Sequence, residues 1–252
     1  MARSNAPGAG SVDPADHPPI PFSDSSWAYF TERLDALALP IEATSVLRHG
    51  LEAVYGHLKG VNAWLNLTRV DDDKGFLQRH VLDSLMLHSA PWFHNHSTLR
   101  CCDLGSGGGY PGVPLALTGP QNEWLLVDSR QRKVRFLAAA GALVDASRVR
   151  ARAFRGGETA STAPEEAKAY DVVTTRATGS VVDISSEAKP LLKKGGRLVV
   201  WQGPSFDHAE EETLRKAMKK SHWHQIETFR YTLDDDDPQR CLIMLTLGSK
   251  LW

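Results

Sequence analysis

The chain has 252 residues, 42% of them apolar and 23% charged, with a formal net charge of −1. That length suits one large domain, or a domain with an appendage, and the near-neutral charge means that any phosphate binding must rest on a local basic cluster. No apolar run approaches the eighteen or so residues that a membrane helix needs. The first residues lack the apolar core of a secretory signal. Three cysteines, two of them adjacent (Cys101 and Cys102), form neither a disulfide framework nor a metal-ligand spacing. The expectation is a cytoplasmic chain without membrane or metal.

Residues 1–23 are rich in Pro, Gly, Ser and Asp and read as a disordered tail. Residues 24–90 form a helical N-terminal segment. Asp24 or Ser25 can cap a first helix that carries Trp27, Phe30, Leu34 and Leu37 at helical spacing, and Pro40 ends it. A second helix is expected over 41–65. A third is expected over 76–87, after the polar break Asp71-Asp72-Asp73-Lys74. From 91 to 252 the pattern changes to short β-prone runs at 99–104, 124–128, 149–153, 171–175, 196–201, 226–233 and 241–247. Helical stretches at 111–117 and 130–143 separate the first three. Such alternation argues for an α/β, Rossmann-like fold, a mostly parallel sheet covered by helices. The link 234–240 is too short for a crossover helix, so the last strand of the seven should run antiparallel.

The strongest local signal is Cys101-Cys102-Asp103-Leu104-Gly105-Ser106-Gly107-Gly108-Gly109-Tyr110-Pro111-Gly112. A strand runs into a loop with Gly105, Gly107 and Gly109, then a helix opens, which is where open α/β sheets bind nucleotides. Asp128 ends the next strand, a position from which a carboxylate can accept bonds from both ribose hydroxyls. The glycines also satisfy the dinucleotide pattern, so an NAD-dependent oxidoreductase, a non-catalytic nucleotide-sensing module and a ligand-free turn all remain open. Asp103 favours S-adenosylmethionine, because an acid there repels a pyrophosphate and welcomes an ammonium and a sulfonium.

Several stretches together resemble the RsmG (GidB) family of bacterial 16S ribosomal RNA methyltransferases. They are Asn66-Leu67-Thr68, Arg79-His80-Val81-Leu82-Asp83-Ser84, Asp103 through Leu115, Asp128-Ser129 with Arg132-Lys133 and Phe136-Leu137, and Thr175-Arg176-Ala177. The resemblance implies a class I methyltransferase domain over 91–252, with S-adenosyl-L-methionine as cofactor. It also implies methyl transfer to ring nitrogen 7 of a guanosine, with 16S ribosomal RNA or the small ribosomal subunit as partner. Carried over by position, it implies that Gly105, Tyr110, Asp128, Ser129, Arg130, Ala153, Phe154 and Arg176 line the cofactor. Phe154 stands where many relatives carry an acid.

Ring nitrogen 7 of guanine has a free lone pair, so the reaction needs orientation more than a general base. Arg176, at the end of the fourth strand, can bind guanine O6 and is the candidate base-positioning residue; the alternative is a surface ion pair. Arg79, His80 and Asp83 share a helical region that could cover the cofactor mouth, or form a structural His–Asp pair. Asn66 is either a substrate contact or a turn residue. Arg148, Arg150, Arg152 and Arg155, with Arg130, Arg132, Lys133 and Arg135, could form an RNA-backbone surface, Arg152 being the substrate candidate. The alternative is protection of an edge strand by charge.

Overall fold

The computed structural model describes residues 10–94, 98–176, 179–219 and 221–248. Ser23 caps α1 (Asp24–Ala36), its hydroxyl accepting from the Ser26 amide, so Asp24 falls in the first turn, where a negative charge complements the helix dipole. Thr44 caps α2 (Ser45–Leu65), four residues later than 41. Asn66 closes α2 in the left-handed conformation, at φ 52°. The acidic run at 71–73 starts the next helix instead of separating two: Asp72 caps α3 (Asp73–Phe76) by accepting from the Gly75 amide at 2.6 Å. The chain then widens into a π-helical turn, Leu77–Leu82, and returns to α4 (Asp83–Leu85) and a 3-10 turn, Met86–Ser89.

The expected tail meets a correction. Residues 1–9 lie outside the described residues, but from Gly10 onward the chain straps across α2. The Ile20 amide donates to the Glu52 carbonyl at 3.2 Å, and the Phe22 amide to Glu52 Oε1 at 3.0 Å. Phe22 is 3% exposed against Trp27, Tyr55 and Phe76. Gly56 makes room, since a Cβ there would stand 2.1 Å from the Pro18 carbonyl oxygen. Composition alone could not show that a single phenylalanine and two backbone bonds anchor this stretch.

After α5 (Pro91–His94), the sheet takes the order β3-β2-β1-β4-β5-β7-β6. Its members are β1 (Arg100–Leu104), β2 (Glu123–Asp128), β3 (Val149–Ala153), β4 (Tyr170–Thr175), β5 (Leu192–Gln202), β6 (Trp223–Tyr231) and β7 (Arg240–Leu247). The first five run parallel, and β7 lies antiparallel between β5 and β6. Between them come α6 (Gly112–Thr118), α7 (Gln131–Asp145), α8 (Thr159–Thr162), α9 (Val181–Ala188) and α10 (His208–Met218).

Alternation along each strand gives the sheet two apolar faces. Cys101, Trp124, Val172 and Val199 face one core, which also contains Phe30, Leu51, Phe76 and Phe136. Cys102, Leu125, Val173 and Val200 face the other, with Ile184 of α9 and Leu214 of α10. The N-terminal helices thus share a core with the sheet. Strand order reverses at β1 and β4, and the crevice outside their carboxyl ends is where such sheets take ligands. Among the described residues no helix is long and apolar enough to cross a membrane, and no acidic, His or Cys cluster has metal-holding geometry.

Candidate functional site

At the end of β1 the backbone turns through Gly105, Gly107 and Gly109, with φ of 72°, 58° and 93°. A side chain would be strained in these conformations, and at Gly109 a Cβ would also meet Val113 at 2.8 Å. The Ser106 amide donates to the Val127 carbonyl at 2.8 Å, which ties the loop to β2. Asp103 is fully buried and organises this loop from beneath. Its Oδ2 accepts from Ser106 Oγ at 2.6 Å and the Gly112 amide at 3.0 Å, and its Oδ1 from Thr174 Oγ1 at 3.0 Å. Burial pushes its carboxyl up to about 6 despite these bonds. Both oxygens therefore serve the protein, and Asp103 shapes the glycine loop through its backbone instead of facing a ligand directly.

Asp128, at the end of β2, is buried but lines a small cleft. Its Oδ1 accepts from the Arg130 amide at 2.9 Å, and Lys133 Nζ stands 3.8 Å from Oδ2. A cleft of about 110 Å³ joins Gly105, Asp128, Ser129, Phe154 and Thr175. Phe154 is buried at its rim with the Arg152 guanidinium 6.0 Å from its ring. Ala153 ends β3 opposite Asp128 in the ladder.

Arg176 follows β4 and is held from the helical segment. Its Nη1 lies 3.3 Å from Asp83 Oδ2 and donates to the Arg79 carbonyl at 3.2 Å. Its guanidinium also sits 5.9 Å from the Tyr110 ring. Asp83, 3% exposed, accepts from Tyr231 Oη at 2.7 Å, and its carbonyl accepts from Trp201 Nε1 at 2.7 Å. Such a pairing fixes the orientation of the arginine. His80 stacks on Tyr110 at 4.3 Å and bonds Thr68 Oγ1 at 2.7 Å. Burial, then the nearby Arg176 charge, push its imidazole down to about 3, so it is a neutral platform.

Residues 48–235 match the family described as GidB, rRNA small subunit methyltransferase G. The chain belongs to this family. It is 34% identical over 184 residues to ribosomal RNA small subunit methyltransferase G of Sorangium cellulosum, covering 73% of each chain. To the protein of that name from a Synechococcus species it is 32% identical over 179 residues, 67% of this chain and 65% of the relative's length. Among solved structures it is similar to a Methanococcus maripaludis protein assigned as an S-adenosyl-L-methionine-dependent methyltransferase. That likeness has a TM-score of 0.53 at 13% identity, covers 78% of this chain and 93% of the other, and concerns the fold.

Most of the residues that the GidB motifs single out therefore gather around one crevice. Gly105, Asp128, Ser129 and Phe154 share the cleft, while Tyr110, His80, Arg79, Asp83 and Arg176 form the adjoining cluster. Ala177 lies outside the described residues. Asn66 is exposed and serves as the α2 cap; its neighbour Asn62 holds the following turn, accepting from the Leu67 and Thr68 amides. The expected arginine surface on β3 is largely spent on carboxylates. Arg150 and Arg152 bond Glu166, Arg152 also pairs with Glu165, and Arg148 pairs with Asp145. Those acids lie in a connecting loop and at the end of α7, so strand periodicity could not expose them. Arg130, Arg132, Arg135 and Arg155 are exposed instead. Sequence reasoning missed Tyr231 and Trp201, which reach Asp83 from 148 and 118 residues away.

Proposed function

We propose that the chain is an S-adenosylmethionine-dependent methyltransferase acting on ring nitrogen 7 of a guanosine in small-subunit (16S) ribosomal RNA. One observation carries the reading in a member of this family: the Gly105–Asp128 cleft and the Arg176 cluster adjoin at the switch point of the sheet. The residues fit the cofactor. Gly105 offers backbone without a Cβ, Asp128 keeps lone pairs for ribose hydroxyls, and Phe154 supplies an apolar wall. Ser129 lines the same cleft, Arg130 and Ala153 are the chain neighbours of Ser129 and Phe154 and do not line it, and Tyr110 stacks on His80 in the adjoining cluster.

When bound, the cofactor would supply a methyl group on a sulfonium that a lone pair can attack, with the thioether as leaving group. The chain's own groups then orient the base and exclude water. Arg176, held by Asp83 and the Arg79 carbonyl, offers its remaining guanidinium donors to guanine O6. His80, pushed down to about 3 by burial and then by the Arg176 charge, brings no positive charge to the cluster near pH 7. Incubation with labelled S-adenosylmethionine and small-subunit RNA, free or assembled, followed by mapping of the modified base, tests the proposal. One 7-methylguanosine is expected. Label on another atom, or tight NAD binding without transfer, overturns it.

A further inference from the structure

A larger concavity, about 760 Å³, opens on the far side of Arg176, between α9, α10 and the end of β5. That volume lies within the range of small-ligand sites. Val181, Phe206 and Leu214 supply apolar wall, and Gln202 and Glu210 join Arg176 on its lining together with the hydroxyls of Ser180, Ser205 and Thr213. Phe206 is held in place from behind, its carbonyl accepting from Arg230 at 3.1 Å. Two adjacent acids on α10 are used differently. Glu211 is tied to Arg215 at 2.8 Å and Arg230 at 2.9 Å, away from the cavity. Glu210 lines the cavity, and among the described residues no cation pairs with it.

We infer that this concavity receives the acceptor guanine swung out of the RNA, with Phe206 against the ring and Glu210 accepting from N1–H and the exocyclic amine. The inference rests on the proposed methyl transfer to guanosine. Guanine presents O6 and nitrogen 7 on one edge, and two adjacent donors on its pairing edge. Arg176 belongs both to the cluster beside Tyr110 and to this cavity, so the O6 and nitrogen 7 edge turns toward it. The pairing edge then turns away, toward α10. Two donors call for two acceptors, which a carboxylate provides and which adenine, with an acceptor at N1, cannot use. Extruding a base for chemistry costs unstacking, and an apolar wall with a paired polar edge offsets that cost.

Glu210 also bears on rate. As the bond from nitrogen 7 to the methyl carbon forms, the sulfur–carbon bond breaks and its electron pair stays on sulfur. The purine ring takes up the positive charge, and its N1–H becomes a stronger donor. A carboxylate on that edge therefore binds the transition state more tightly than the ground state, which raises kcat more than it lowers KM.

The experiment compares small-subunit RNA with the same RNA carrying inosine, which lacks the exocyclic amine, at the modified position. Wild-type protein should prefer guanosine by roughly tenfold to a hundredfold in kcat/KM, the scale for one bond to a charged acceptor. Glu210→Gln should lose about tenfold or more in kcat with little change in KM, and most of the discrimination against inosine should vanish. A merely helix-stabilising Glu210 would leave that discrimination intact. Ala209→Phe, which fills the cavity from the same helix, should block transfer while S-adenosylmethionine affinity and melting temperature hold. Unchanged discrimination in Glu210→Gln, or full transfer by Ala209→Phe, overturns the pocket assignment while the methyltransferase reading stands. A wild-type protein that methylates no guanosine removes both.

Discussion

Asp128 and Arg176 flank the crevice but are held in different ways, and the difference separates their expected phenotypes. Asp128 spends one oxygen on the Arg130 amide, and the other, 3.8 Å from Lys133 Nζ, belongs to a side chain that lines the cleft. Asp128→Ala should weaken S-adenosylmethionine binding by about 1.5–3 kcal/mol in calorimetry, the scale for bonds to a charged acceptor. Unchanged affinity with an intact fold would show that the ribose is held elsewhere. Arg176 is clamped by Asp83 and the Arg79 carbonyl, at 3.3 and 3.2 Å, so its planar fork is already oriented. Arg176→Lys keeps the charge but not the fork, and transfer should fall by roughly tenfold to a hundredfold, about 1.4–2.7 kcal/mol in barrier. Cofactor affinity measured in the same variant decides the role. If saturating cofactor restores the rate, Arg176 serves the cofactor and not the base.

Among the elements, β3 was legible to the residue from Val-Arg-Ala-Arg-Ala, and the antiparallel finish followed from a seven-residue link. The glycine loop and Asp128 were equally legible, because positive φ and a strand-end acid leave marks in composition. What stayed hidden depends on contacts between distant segments. The π-helical turn Leu77–Leu82 carries ordinary apolar spacing, yet Arg79 within it accepts from Arg176 97 residues away. Widened turns of this kind recur at functional sites. The strap over α2 has the composition of a disordered tail, because its Pro and Gly content outweighs one buried ring. That ring gives the strap a test. Phe22→Ala should cost about 3 kcal/mol, the usual price of a large core truncation, and lower the melting temperature by several degrees. A shift within error would mean that residues 10–22 contribute no packing to the folded state.

At the scale of the whole molecule, the two cores straddle one sheet, and the N-terminal helices close the first of them over the glycine loop. Three buried ionisable groups should then set the acid response of that unit. Burial pushes His57, stacked on Phe136 at 4.9 Å, down to about 4, and burial with the Arg176 charge pushes His80 down to about 3. Both have a folded pKa below the ordinary 6.5, so near pH 5 the unfolded chain binds two protons that the folded chain refuses. Asp103 acts in the opposite sense. Its folded pKa of about 6 exceeds the ordinary 3.8, so near pH 5 the folded chain holds a proton that the unfolded chain releases. The balance from these groups is about one proton, and stability should fall by about 1.4 kcal/mol per pH unit as pH drops through 5. His57→Leu removes one of the two losses without adding a charge. Denaturant titrations at pH 7, 6 and 5 should show the variant's stability declining less steeply than the wild type's, with the curves drawing apart toward pH 5. Parallel curves would show that His57 takes up its proton in the folded chain as readily as in the unfolded one, and that the strap and α2 do not shield it.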